Sequence, residues 1–260
     1  MKKIALLFLM LCQSMLFAQS NFVGVIEYEA TIRINREGTS AEANPNMPDV
    51  FNFMQKLHVN GNNGKVETVI NFGGQRTNTT NTQQTNRMRR FIPEIFWDFA
   101  GKKTATVMSL PRDSVNMDKY MIEKDLKAST DLKEEKKTKK ILGYNCKKAT
   151  LKTADDTFTI WYTTELGFTF SPMGQNAMMR MGRGGANAPN IPSILIDGVV
   201  ILAVEGTDVG FEAKKIDKID VPLDTVKIPA DAQKVTQEEF QEIAKQRRGA
   251  MRSMGNGGRN

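Results

Sequence analysis

The chemistry open to this chain is limited first by its single histidine and its two cysteines. A serine or cysteine nucleophile needs a base placed to take its proton, and His58 is the only imidazole available. It precedes Asn60-Gly61 in a segment patterned as a strand, where a surface or half-buried role is expected. Cys146 lies in Gly143-Tyr144-Asn145-Cys146-Lys147-Lys148-Ala149. The two lysines could lower its pKa, but its alternating context predicts a buried, inert strand cysteine. One histidine and one cysteine do not make a zinc site, and Asp155-Asp156 reads as a turn pair. Gly182-Arg183-Gly184-Gly185 and Gly255-Asn256-Gly257-Gly258 lack the lysine and the strand-loop-helix context of a phosphate loop. No catalytic residue is assigned, no cofactor is expected, and the chain is read as a non-enzyme.

The methionines are more unusual. There are fifteen, and Met173, Met178, Met179 and Met181 crowd one stretch. Thioethers are soft ligands that suit Cu(I), so copper or silver binding by these four is one reading. The other is a flexible, oxidisable loop packing its methionines on an apolar mouth. Arg180, Arg183, Arg247, Arg248, Arg252 and Arg259 sit among glycines in this stretch and in the tail. Arginine-glycine segments track phosphate backbones in the cytoplasm, but the N-terminus argues for export and so against nucleic acid. Anionic lipid headgroups or acidic glycans remain as salt-sensitive contacts, beside a simple solvated tail. The chain carries a formal net charge of +7. Residues 19–244 hold 29 bases and 29 acids, so the basic pI is attributed to the tail rather than to a face of the fold.

Residues 1–18 have the three parts of a secretory signal. Lys2 and Lys3 precede an apolar run from Ile4 to Leu11, continued by Met15, Leu16 and Phe17, with Ala18 at the expected cut. Gln13 and Ser14 break the run, and no later stretch approaches the roughly 18 apolar residues of a membrane span. Cys12 follows Leu11 rather than a small residue, so a lipid anchor is not preferred. The expected location is exported: periplasmic, outer-membrane-associated or extracellular. Cleavage leaves Cys146 alone, without a disulfide partner.

The elements that would position a site are mostly strands. Gly24, Ile26, Tyr28, Ala30, Ile32 and Ile34 share one face of a period-two segment. Arg36 to Pro48 reads as a loop, and Val50, Phe53, Met54 and Leu57 suggest a short helix over Asp49–Leu57. Asn60-Gly61-Asn62-Asn63-Gly64 marks a hairpin, and Gly73 to Arg90 is too polar to order itself. Ile95–Phe99 and Thr104–Met108 form a further hairpin. Lys119–Leu126 suits an edge strand, and the charged Leu132–Lys140 a solvated strand or helical turn. Ile141–Leu151 pairs with Thr157–Thr164, where Phe158, Ile160 and Tyr162 point one way and Trp161 the other. Ser193–Val204, broken at Asp197-Gly198, and Gly210–Ile219 complete the strands. Thr236-Gln237-Glu238-Glu239 is a capping box opening a helix to about Arg248. The expected organisation is a β domain over 19–235, a helix over 236–248, and a disordered basic tail over 249–260.

Phe22-Val23-Gly24-Val25-Ile26-Glu27-Tyr28 after the leader, then Ile141 to Ala149, then Ile160-Trp161-Tyr162-Thr163-Thr164-Glu165-Leu166, resemble the GLPGLI-type and related uncharacterised secreted families of the Bacteroidota. The hallmark departs, since Asn190-Ile191-Pro192-Ser193-Ile194-Leu195-Ile196 stands in its place, so the resemblance is at the level of a sister family. It implies an exported chain without assigned activity. By analogy it implies a curved antiparallel sheet similar to LolA-type carriers. Asp113-Ser114-Val115 and Asp224-Thr225-Val226 are similar to short O-glycosylation acceptors of that phylum.

The fold class expected is mainly β: an antiparallel meander forming an open half-barrel or sandwich, with a short C-terminal helix. Function is read as binding an apolar or amphipathic ligand, such as a lipid, in the concave sheet. Tyr28, Ile160, Trp161, Tyr162, Met178, Met179 and Met181 are its candidate lining. The alternatives are soft-metal capture through Met173, Met178, Met179 and Met181, and a structural or adhesive envelope role for the basic tail.

Overall fold

The computed structural model describes residues 22–33, 50–70, 92–113, 116–129, 131–153, 156–173 and 194–256, with side chains for all but Phe51, Ile70 and 248–256. The expected leader, the loops at 36–48 and 73–90, Ser114, Asp155, Met178, Met179 and Met181 lie outside these residues.

The fold is mainly β, as the alternation predicts. Two meanders share one open sheet. The first runs β1 (Val23–Arg33), β2 (Val50–Asn60), β3 (Asn63–Ile70), β4 (Glu94–Asp98), β5 (Lys103–Pro111) and β6 (Met117–Asp125). The second runs β7 (Leu132–Ile141), β8 (Tyr144–Lys152), β9 (Thr157–Thr163), β10 (Val200–Glu205) and β11 (Val209–Asp217). A two-residue β12 (Gln233–Lys234) adds in parallel to β6. The order is β12-β6-β5-β4-β3-β2-β1-β11-β10-β9-β8-β7. The seam joining the meanders is antiparallel pairing of β1 with β11, from Val25↔Asp217 to Ile32↔Val209.

Period two decides which face is buried. Ile26, Tyr28, Ala30 and Ile32 are 5 % exposed or less, while Glu29 and Arg33 face solvent. One face of the sheet is covered by the chain itself. After β9, Leu166, Phe168 and Phe170 lie across it, with Leu195 from the segment before β10. The Phe170 ring sits 5.0 Å from Trp97 and 5.7 Å from Tyr28. Phe170 N–H donates to Val199 O at 3.0 Å, and Ile201 N–H returns a bond to Phe170 O at 3.0 Å. Phe99 stacks beside Phe168 at 4.7 Å and lies directly over Gly64, where a Cβ would come within 2.6 Å of its ring.

Four local readings are corrected. Residues 50–57 are strand, not helix. The helical spacing of Val50, Phe53, Met54 and Leu57 is overridden because β2 is hydrogen-bonded on both sides, to β1 and β3. Ile141–Leu151 is not one strand: Leu142 and Gly143 take φ of 50° and 89° and turn the chain between β7 and β8. Positive φ at both central residues is the mark of a primed hairpin turn, which leucine does not announce. The basic charge of the body is concentrated, not balanced away: Leu132 to Lys152 holds eight lysines against Glu134 and Glu135. Finally, the C-terminal helix does not stop near Arg248, since its backbone continues to Asn256. Gly249 costs a helix only about 1 kcal/mol, and Ala250, Met251 and Arg252 around it favour continuing.

The two helices brace the outside. In α1 (Leu223–Val226), Val226 packs with Val221 on Val25 of β1. α2 (Gln237–Asn256) opens on the expected capping box: Glu239 N–H donates to Thr236 Oγ1 at 3.1 Å, and Thr236 N–H to Glu239 Oε2 at 2.7 Å. Phe240 lies edge-on to Tyr120 at 6.0 Å. Arg247 and Arg112 both bind the buried carboxylate of Asp118, Arg247 at 2.7 Å. These cations hold that carboxyl below the usual carboxylate range, Arg112 most strongly.

Candidate functional site

The described candidate residues fall into two packed clusters: Tyr28, with Trp161 packed against its cluster, and Ile160 and Tyr162 in the other. Tyr28 and Ile160 are fully buried and Tyr162 is 3 % exposed. Tyr28 donates its hydroxyl to Ile201 O at 3.0 Å, and burial pushes its pKa well up. Ile160 and Tyr162 belong to a neighbouring cluster with Ile201, Val204 and Phe211. Tyr162 reaches the rim, where its hydroxyl donates to Glu134 Oε1 at 2.8 Å. Burial, then that bond, pushes its pKa up to about 12. Met173 is 2 % exposed in the same cluster. All of these side chains are committed to packing.

Trp161 points the opposite way, because successive residues of a strand alternate. Its ring is partly buried, packed against the cluster that contains Phe168 and Phe170, across from Lys148 of β8 and Ala203 of β10. Lys139 Nζ lies 4.3 Å over the ring, a cation–π contact, and 3.8 Å from Glu205. Lys148 pairs with Glu135 at 3.0 Å, and Thr150 donates its hydroxyl to Glu135 at 2.6 Å. Those two bonds, Thr150 first, hold the Glu135 carboxyl below its ordinary range. The result is an indole plane framed by a hydroxyl, two carboxylates and two ammonium groups. Such a surface can stack on a flat apolar face while hydrogen-bonding its polar edge. Of this set the sequence marks only Trp161. The lysines around it are visible there too, as a run from Lys133 to Lys148 lost when charge is summed over the whole body.

No arrangement for covalent chemistry accompanies this face. Cys146 is fully buried, its thiol donates to Tyr144 O at 3.6 Å, and burial raises its pKa. His58 Nε2 lies 3.4 Å from Glu67. Among the described residues no three His, Cys, Asp or Glu side chains group as metal ligands. No helix there is long and apolar enough to cross a membrane. A shallow groove of about 560 Å³ lies between β6 and the start of α2, lined by Ile122, Glu123, Lys124, Lys234, Val235 and Thr236 among others. Lys234 bridges it to Glu123.

Residues 62–188 match the family model described as N-glycanase peptide, N-terminal domain. That match overturns the GLPGLI-type resemblance. The Ile141–Ala149 block carrying it falls within the matched span, and its turn and strand pairs are common hairpin features. Two solved structures of PNGF-II are similar. The P21 crystal form superposes with a TM-score of 0.50 at 16 % identity, covering 87 % of this chain and 34 % of that one. The C2 form gives 0.48 at 15 % identity, covering 86 % and 33 %. The chain therefore spans about a third of the length of PNGF-II. At this identity the likeness shows a shared fold. No curated protein matches.

Proposed function

We propose that this chain is an exported, non-enzymatic cell-envelope domain that binds an amphipathic ligand at the exposed edge of Trp161. A protein-linked glycan is the ligand class we favour. The observation that carries the reading is the half-exposed indole in a frame of Lys139, Glu205, Lys148, Glu135 and Thr150. A sugar presents a weakly apolar face and a hydroxyl edge, and this frame offers a partner for each. The matched family is named for an N-glycanase, and that name is our reason for putting the glycan first among amphipathic ligands. A purely apolar ligand is less suited, because the inner concavity is occupied by Phe168, Phe170 and Leu195. Soft-metal capture rests on composition alone, since Met173, the one member of that set among the described residues, is packed away.

The test is calorimetric titration with an N-glycosylated peptide and with the same peptide stripped of its glycan. Wild type should bind only the glycosylated form. Trp161→Ala should weaken that binding about tenfold, the scale of one aromatic contact. Equal binding of both peptides, or an unaffected variant, would refute the proposal.

A further inference from the structure

The lysine-rich hairpin beside Trp161 has a second feature that neither packing nor glycan stacking uses. Leu142 stands at its tip 44 % exposed with φ of 50°. A left-handed backbone is strained for leucine and suits glycine or asparagine. An apolar side chain is thus held in solvent by an unfavourable conformation. Lys139 and Lys140 precede it and Lys147 follows Cys146, within about 10–17 Å along the strands. All three are exposed, and their long stems can swing toward the tip. Lys133, Lys136, Lys137, Lys140, Lys147 and Lys152 form no ion pair among the described residues. A register shift between Glu135 and Thr138 leaves Lys136 and Lys137 unmatched to β8, and both are exposed on the outermost strand.

The acids nearby are engaged. Glu134 accepts from Tyr162, Glu135 from Thr150 and Lys148, Glu165 from Asn145 at 2.7 Å, and Glu205 lies by Lys139.

We infer that the β7–β8 hairpin docks the protein onto an anionic lipid bilayer, with Leu142 entering the interface and the lysines contacting the headgroups. Lysines on a free edge also discourage strand addition, but that duty does not call for a strained, exposed leucine at the turn. A linear acidic polymer would meet the lysines and leave Leu142 unused. A bilayer uses both, combining apolar insertion with attraction to negative headgroups.

Flotation of the full chain with phosphatidylcholine vesicles, with and without phosphatidylglycerol, tests this. Binding should require phosphatidylglycerol and weaken with added salt. Lys140→Gln with Lys147→Gln should lower vesicle affinity about twenty-fivefold, from about fivefold per charge near an anionic surface. Leu142→Asn should lower it about tenfold while leaving the thermal midpoint unchanged or raised, because asparagine tolerates this φ. Trp161→Ala should keep its vesicle affinity, so failure of the glycan reading leaves this one standing. Equal binding to both vesicle types, wild-type affinity in Leu142→Asn, or capture by heparin without capture by vesicles would each overturn the assignment.

Discussion

Tyr162 and Trp161 are neighbours in sequence and live in different molecules, physically speaking. Tyr162 is 3 % exposed, packs beside Ile201, and hands its only proton to Glu134. Trp161 lies one residue earlier on the other side of the same strand, half in water under the Lys139 ammonium. The cluster around Tyr28 and Phe170 and the neighbouring one around Tyr162 carry the stability of the sheet. Its side chains are interlocked, and a change there is felt as unfolding. Trp161 packs its buried part against the cluster that holds Tyr28 and Phe170 and leaves the remainder under the Lys139 ammonium, so it serves the core and the surface at once.

The sharpest way to break this contrast is Phe170→Ala. The ring bridges Trp97 and Tyr28, so its removal should cost about 3–5 kcal/mol in denaturant unfolding. The folded fraction should bind glycopeptide and vesicles as before. If binding falls in proportion to stability, the two faces are not separate. Tyr28→Phe should cost less, about 1–2 kcal/mol, because it strips the buried Ile201 carbonyl of its donor.

Tyr162 contributes a pH signature, smaller near neutrality. Its raised value means the folded state holds this proton more tightly than the unfolded chain. The stabilisation is complete below the ordinary value of 10.0 and is lost as pH rises toward about 12. Unfolding midpoints measured across alkaline pH should fall more steeply for wild type than for Tyr162→Phe. Trp161→Ala should disturb the fold less than Phe170→Ala, because its ring is only partly buried against the same cluster, while it removes most glycopeptide affinity. A loss equal to that of Phe170→Ala would place Trp161 wholly with the core.

Much of the scaffold was legible because a half-buried strand declares itself by alternation. Ile26, Tyr28, Ala30 and Ile32 repeat every second residue, and Asn60-Gly61 names its turn. The capping box at Thr236 is equally local. What escaped was set by distance. Val50 to Leu57 is spaced like a helix, and only pairing with β1 and β3 makes it a strand. The β7–β8 turn was hidden because leucine occupies a position that usually takes asparagine or glycine. The candidate face was half visible: alternation separates Trp161 from Tyr162, but nothing local says that Phe168 and Phe170 return to fill the concavity. Nor does a summed net charge show that lysines gather on one hairpin.

The seam at β1 has a consequence for how the chain comes to be. Its partner on one side, β2, ends at Asn60, yet its partner on the other, β11, starts only at Val209. During synthesis the first strand can zip along one flank early, then must hold its second flank unsatisfied until some 150 further residues have emerged. Such a wait favours slow, late closure and leaves a sticky ribbon open to wrong partners. A holding chaperone that shields Val23–Arg33 during that interval would speed the yield of finished protein without touching its final stability.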